Sequence, residues 1–598
     1  MCEPSDSGAP GARARIVRAA VPVLALAAAV LALYARTCFF GALRLDDFGY
    51  TGGCPFVAGG LSWDNIGEAF SRFRYGGIWM PLTYISYMAD VSLFGGGWGA
   101  HHATNALLHA LNAAIVFLFV RWLAAVAAKP ARIEPSPLFA FLAALVWAVH
   151  PQRAEAVAWI ASRKEELWTL FALLGLMAWG RRRFAAGALL CVCACLSKPT
   201  AVCFPALAFI VEAFVTGFEE ERRETRSGRA WRAWSKALLR YAALCLPALV
   251  SGCIAVASQT HPEGMAPVPV ADIHFLDRLL SAAPALGLSL AQMLVPWGVH
   301  FDYMDSTILH FVLGGLVLVS VAAIMLPAIA KHPRAALFCT AFFLAAYLPV
   351  SGVLGRFGEH ARADRFLYLP SVAAALLLAI LAAPGAMRSG QPRARLPWLR
   401  VAGIAAYAAF CAVLAWPVIG SYRSDLEAFT RALSYEPDNW RALRHVGSEY
   451  CARLGRMDEG LEMLRRSYRL SPRDATAEVL AYALACRGDH SDGAEIRRLC
   501  RKVVARPALD RRGMMAESLG IAAIWERRWR DAEAYLRASL AAPERFYSAT
   551  EARFRLAEAL SGGGAVAEAR TVLGPLAISD DKSVRQRAIS ALEALPRD

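Results

Sequence analysis

Two adjacent carboxylates, Asp46 and Asp47, follow an apolar run and open a loop rich in glycine and aromatics (Tyr50, Trp63, Phe70, Phe73, Tyr75, Trp79). At a membrane surface such a carboxylate can take the proton of an attacking hydroxyl, which is general-base work, or hold a divalent cation through its oxygens. The plainer alternative is that one of them caps a short helix. The stretch HPQRAEAVAWIASRKEE brings His150, Arg153, Glu155, Arg163, Lys164 and Glu165 to the ends of two adjacent apolar runs. Lys198 stands at a further turn, and Arg356, Arg362 and Arg365 in a later one. Arg and Lys hold phosphate through charge-assisted hydrogen bonds, and a lipid phosphate emerging from a bilayer lies at this depth. Structural pairing with Glu155, Glu165, Glu359 and Asp364 is the alternative. In HHATNALLHALN, His102, Asn105, His109 and Asn112 recur at helical spacing and form a polar stripe. Such a stripe suits hydrogen bonding between helices or substrate contact, and no acidic or cysteine partner completes a metal site on it.

The elements that must position these groups follow from composition. Of 598 residues 57% are hydrophobic and 19% charged, which is too apolar for an ordinary soluble chain and too long for one domain. A spanning helix needs about 20 apolar residues. Candidates run over 18 to 40, 102 to 122, 137 to 150, 167 to 180, 184 to 197, 199 to 217, 238 to 257, 309 to 330, 335 to 352, 366 to 384 and 400 to 419. The first is read as a retained helix rather than a cleaved signal, because the run is long and shows no small-residue cleavage site. The net charge of +15 sits largely in short segments between these runs, a pattern of membrane topology rather than of nucleic-acid binding. Basic segments at the N-terminus, 181 to 183, 222 to 240 and 388 to 400 share one side, the cytoplasm, if about eleven spans are counted. The first loop, 41 to 100, then lies outside. The segment 275 to 296 is long enough to cross, but Asp277, Arg278 and Pro284 mark it as interfacial or re-entrant. Crossing there would move the basic segment at 388 to 400 outside. Cysteines inside apolar runs act as small hydrophobes, and one bridge, Cys38 to Cys54, stays open. The high Ala and Arg content points to a bacterial genome, hence an inner membrane.

From 421 to 598 the chain turns charged and Ala-rich, and Pro437, Pro472, Pro507 and Pro543 recur at spacings of 35, 35 and 36. Each ends an expected helix. Phe429, Leu464, Leu499 and Tyr535 stand eight residues before them, so each helix carries one apolar stripe. Stacked helical hairpins result. The small residues Ala432, Ser467 and Ala538 resemble those of tetratricopeptide repeats, with Lys502 a departure and a degenerate copy near Pro575.

Six ordered blocks, LRLDDFGY, WMPLTYIS, GAHHATNALLHALNA, HPQRAEAVAWIASRKEEL, LSKPTAVCFP and ARADRFLYLPS, resemble those of the transmembrane and tetratricopeptide-repeat O-mannosyltransferases and their bacterial relatives. The resemblance runs from about Leu45 to the repeats. It implies an all-α fold: a polytopic helix bundle of the glycosyltransferase C type over 1 to 420, then a tetratricopeptide-repeat α-solenoid over 421 to 598. It also implies a polyprenyl-phosphate sugar donor and an acidic residue of the first outer loop as base. Asp46 and Asp47 match that acidic motif and Glu155 the acid of the second block. Arg163, Lys164, Lys198 and Arg365 match basic positions for the donor phosphate, joined by Arg362 from the same loop, with His102 and His150 as further candidates. Leu45 replaces the usual aromatic before the aspartates, and Gln152 and Arg153 replace the usual His-rich positions.

The expected activity is transfer of a hexose, mannose among the candidates, from the lipid donor to an acceptor hydroxyl, with protein Ser or Thr favoured. No nucleic acid is involved, and a divalent cation at Asp46 and Asp47 is the one cofactor to test. The repeats would recruit the protein acceptor or a partner. The alternatives are a non-enzymatic membrane scaffold and a transporter of lipid-linked glycans.

Overall fold

Backbone polar groups in an apolar medium must be satisfied within the chain, so long runs of Ala, Leu and Val have one low-energy solution, the α-helix. The computed structural model describes residues 12–72, 77–128, 137–217, 230–259, 275–304, 308–354, 362–383, 398–501, 513–542 and 549–596. Among them every regular element is helical and no strand occurs. The chain divides into two compact units, Met1–Arg431 and Ala432–Asp598.

In the first unit the helices are α1 (Ala12–Tyr34), α2 (Asp47–Tyr50), α3 (Pro55–Ala58), α4 (Trp63–Ser71), α5 (Pro81–Phe94), α6 (Trp98–Ala128), α7 (Pro137–Val149), α8 (Ala154–Ala158) and α9 (Arg163–Gly180). They continue with α10 (Phe184–Ser197), α11 (Phe204–Val215), α12 (Ala230–Gln259), α13 (Phe275–Leu294), α14 (Ile308–Lys331), α15 (Pro333–Tyr347), α16 (Val372–Ala382) and α17 (Trp398–Ser421), and the boundary between the units falls within α18 (Asp425–Tyr435). Local chemistry sets several ends. Ser62 caps α4 by accepting the Asn65 N–H at 3.1 Å, and Gly95, at φ +78°, closes α5 in the left-handed conformation.

Five helical stretches among the described residues are long and apolar enough to cross a membrane: Ala20–Phe39, Trp98–Ala128, Ser235–Ser258, Pro333–Val350 and Trp398–Ser421. Of the other expected spans, 137 to 150, 184 to 197, 199 to 217 and 366 to 384 fall on apolar helices of 10–17 residues, and 309 to 330 on the 24-residue α14. Residues 275–294 form α13, whose Pro284 and Gly287 lie against Gly314 of α14. A Cβ on Gly314 would stand 2.7 Å from the Pro284 Cα, so small residues allow this close crossing. Cys38 and Cys54, an open bridge in the sequence, are both free thiols.

Two separate sets of polar contacts, the first and second polar layers, tie the helices together. In one, Thr83 Oγ1 donates to the Ser197 carbonyl at 2.8 Å, the Ala161 N–H donates to Asp47, and Lys198 pairs with Glu165. In the other, Trp179 and Tyr241 each donate to Glu212 at 2.8 Å, and the Arg181 guanidinium lies 4.6 Å from the Trp122 ring centre. The unit extends past the composition change at 420. Asp425 accepts the Arg44 N–H, Phe429 packs 5.5 Å from Phe301, and Arg431 donates to the Val299 carbonyl at 2.8 Å.

The second unit continues with α19 (Trp440–Ala452), α20 (Met457–Leu470), α21 (Asp474–Arg487), α22 (Gly493–Leu499), α23 (Met514–Trp525), α24 (Trp529–Leu540), α25 (Ala549–Gly562), α26 (Val566–Ala577) and α27 (Lys582–Ala594). They pack largely in chain order around two apolar cores, one spanning α20 to α23 and one α23 to α27. α23 contributes to both cores, which is why its sequence is apolar all round. Pro472 follows the end of α20, while Pro507 and Pro543 lie outside the described residues. Pro575 is inside α26 rather than beyond its end. In α24 the buried stripe is Ala532, Leu536 and Ser539, one residue on from the expected Tyr535 and Ala538. Gly520 of α23 leaves room for Leu536, so the facing helix sets that stripe, not the distance to a proline.

α19 and α20 approach at glycines: a Cβ on Gly460 would lie 2.6 Å from the Gly447 carbonyl oxygen, and one on Gly447 2.8 Å from that of Gly460. Valine at 460 is therefore expected to destabilise this unit by about 1–3 kcal/mol through overpacking. Hydrogen exchange of the full chain checks this, as faster exchange confined to α19 and α20.

Candidate functional site

The first polar layer holds most of the residues singled out by the sequence, and it sorts them sharply. α2 begins where the chain turns after α1, and its first residue, Asp47, is fully buried. Its two carboxylate oxygens accept the Leu43 N–H at 2.8 Å and the Ala161 N–H at 2.7 Å. Burial pushes this carboxyl up to about 8, against the pull of the two backbone donors. Asp47 thus fastens the first loop to the turn ahead of α9. Asp46 is half-buried, makes no capping hydrogen bond, and acts electrostatically on Lys164, Tyr50 and Arg365. Each Asp47 oxygen accepts one backbone N–H, so a cation shared with Asp46 would have to use the lone pairs that remain. Among the described residues no group of three or more His, Cys, Asp or Glu side chains converges as a metal site.

α9 starts with Arg163 and Lys164, ahead of its apolar stretch from Leu167, and the two side chains go different ways. Arg163 is fully buried, 2.6 Å from Asp90, and donates to Asn105 Oδ1 at 2.7 Å and the His101 carbonyl at 2.8 Å. Its donors are spent on the protein. The Lys164 ammonium sits 4.7 Å from the Tyr50 ring centre, in the field of Asp46, and among the described residues no carboxylate lies within ion-pair distance of it. Only 6% of this residue is exposed, and burial pulls its ammonium down to about 8, with Asp46 opposing.

Lys198, at the end of α10, pairs with Glu165, whose other oxygen accepts Trp168 Nε1 at 3.2 Å. Burial lowers the Lys198 ammonium and Glu165 counteracts it. Arg365 pairs with Glu155 through its guanidinium, and its backbone N–H donates to Glu155 at 2.8 Å. That guanidinium also lies 5.1 Å from the Trp159 ring centre and 5.0 Å from that of Phe366. Asp46, Lys164, Lys198 and Arg365 form one electrostatically linked group, with Tyr50, Trp159 and Phe366 as its apolar walls.

Other candidates stand apart from that group. Arg362 lies 3.9 Å from the Tyr303 ring centre and donates to Gln292 of α13. Asp364 accepts Gln152 Nε2 at 3.0 Å and the Tyr303 hydroxyl at 2.7 Å, and burial pushes its carboxyl up to about 6. His150 donates through Nε2 to the Met293 carbonyl at 3.2 Å and accepts the Gln152 N–H through Nδ1. It ties the end of α7 to that of α13. His102 bonds the Gly41 carbonyl at 3.1 Å, steadying the entry to the first loop. In the polar stripe of α6, Asn105, His109 and Asn112 all bond groups outside α6. Arg356 and Glu359 lie outside the described residues.

Sequence reasoning passed over Asp90 and Trp159. Asp90 carried a signal, a lone carboxylate in the apolar run of α5 that demands a buried cation. Trp159 carried none, because its role depends on Arg365 reaching it from far along the chain. No protein-family model matches the chain, and a search of curated proteins finds no match.

Proposed function

We propose that the chain is a membrane glycosyltransferase that moves a hexose from a polyprenyl-phosphate donor to an acceptor hydroxyl, with protein Ser or Thr favoured. One observation carries this reading: a buried ammonium, Lys164, without a carboxylate partner among the described residues, stands in the field of a half-buried carboxylate, Asp46. An unpaired buried cation is costly unless an anion completes it, and a lipid phosphate is such an anion. Asp46 takes the proton of the acceptor hydroxyl as its oxygen bonds to the anomeric carbon. The bond from that carbon to the phosphate oxygen breaks, and the electron pair leaves on the phosphate beside Lys164. Lys198 and Arg365, already paired, add positive potential. Asp47 holds the loop, and Arg163 holds α9 to α5 and α6.

The bundle is read as glycosyltransferase C-like with about eleven crossings and a cytoplasmic N-terminus in a bacterial inner membrane. The last turn of α12 bonds the Gly77 carbonyl of the first loop through Ser258, and the last turn of α13 bonds His150 through the Met293 carbonyl; the re-entrant reading of α13 places both ends on the outer side. The repeats then follow on the outer side. Sequential packing and the glycine crossing of α19 with α20 favour tetratricopeptide-like hairpins that recruit a protein acceptor.

The test is transfer from radiolabelled polyprenyl-phosphate hexose in membranes. Lys164→Gln is expected to lower transfer at limiting donor by about 10–100-fold, as loss of a charged phosphate contact implies. Transfer equal to wild type would remove Lys164 from the donor site. The scaffold reading draws on the pairing of Lys198 and Arg365 with carboxylates, and it requires that no variant of this group alters any transfer.

A further inference from the structure

Below the transfer group, α9 carries a second acid that the proposed chemistry does not use. Glu166 is fully buried, and neither carboxylate oxygen has a hydrogen-bond partner among the described residues. Among the groups its charge reaches, the Tyr34 hydroxyl is a buried donor that is likewise unpartnered, whereas the side facing Tyr368 offers oxygens, as the hydrogen-bond directions decide. His109 Nε2 bonds the Ala148 carbonyl at 2.9 Å, and since a carbonyl only accepts, the ring proton is on Nε2. His109 Nδ1 therefore accepts, and the Tyr368 hydroxyl donates its one proton to it at 2.7 Å. The Asn112 amide donates to the Glu166 backbone carbonyl at 3.0 Å and to the Tyr368 oxygen at 3.4 Å, which leaves Asn112 Oδ1 without a partner.

Glu166 exerts the largest charge effect on the Tyr368 hydroxyl, yet that hydroxyl has no proton left to give it. Thr169 Oγ1, one turn along α9, is likewise buried and unpartnered. Arg163 is the charge that acts on Glu166, and its guanidinium is already matched by Asp90 at 2.6 Å. A buried carboxylate beside several oxygens and one hydroxyl, with no counter-charge of its own among the described residues, lacks a cation.

We infer that α6, α9 and the turn carrying Tyr368 enclose a binding site for one alkali cation, with Glu166 as the charged ligand and Asn112 Oδ1, Thr169 Oγ1 and the Tyr368 oxygen as neutral ones. A single carboxylate among neutral oxygens balances a monovalent ion, whereas calcium sites gather several carboxylates. The ion would fasten α6 to α9, one turn below the residues that hold Lys164. The site does not rest on the transferase reading, because its readout is binding.

Purified full-length protein in detergent is dialysed against radiolabelled sodium, and against rubidium standing in for potassium, with choline chloride holding ionic strength constant. The expected result is saturable binding of one ion per chain, weakened at least about tenfold by Glu166→Gln, as loss of a charged ligand implies. Thr169→Val is expected to weaken it less. The wild-type unfolding midpoint should rise in the bound salt relative to choline, and the Glu166→Gln midpoint should not respond. Absence of saturable binding of either ion to wild type, with one midpoint in all three salts, would overturn the site and leave a proton on Glu166. Equal binding by the Glu166→Gln protein would place any ion elsewhere and overturn it too.

Discussion

Asp46→Asn is expected to leave the protein folded and to lower sugar transfer by about 10²–10⁴-fold, the range in which a positioned general base contributes. The same change at Asp47 should fail differently. Asp47 uses both oxygens to accept backbone N–H groups, from Leu43 and Ala161. An asparagine keeps one acceptor and turns an amide N–H toward the other donor, which costs about 1–3 kcal/mol. The Asp47→Asn protein should unfold at lower temperature, with transfer falling in step with the folded fraction. Measuring unfolding and single-turnover transfer on both variants separates the roles. A stable Asp46→Asn protein with wild-type turnover would remove the proposed base.

Arg163→Met is expected to be the most destabilising single change in the transfer region, by about 3–5 kcal/mol, because it strips a buried carboxylate of its partner. Asp90 would keep His101 at 2.7 Å and Thr104 at 2.6 Å, neither a match for a guanidinium. Thermal unfolding in detergent reads the loss. The double variant Arg163→Met, Asp90→Leu should recover much of it, since removing both charges is far less costly than orphaning one. If Arg163 instead held the donor phosphate, the single variant would keep wild-type stability and raise the donor KM. The neighbouring Lys164→Gln is expected to show that second pattern.

The contrast between these two adjacent positions shows how far the sequence reaches. Both are cations in one short motif, and both match expected phosphate ligands. Successive residues on a helix point about 100° apart, so one faces α5 and α6 and the other faces Tyr50 and Asp46. Nothing in residue type distinguishes them. The same holds for Asp46 and Asp47, where one short turn of helix decides which carboxylate meets the backbone and which stays open.

The sequence by itself determined that the chain is helical, that it changes character near 420, and that its early part contains helices able to cross a membrane. These depend on composition and periodicity, which act locally and along one strand of chain. It also determined which charged residues stand at the ends of apolar runs, because such residues resist burial unless partnered. Only the tertiary structure decided the partners: Glu155 with Arg365, Glu165 with Lys198, Arg163 with Asp90, and Glu166 with none among the described residues. Pairing depends on distance and direction between side chains far apart in sequence, and the packing of whole helices sets both.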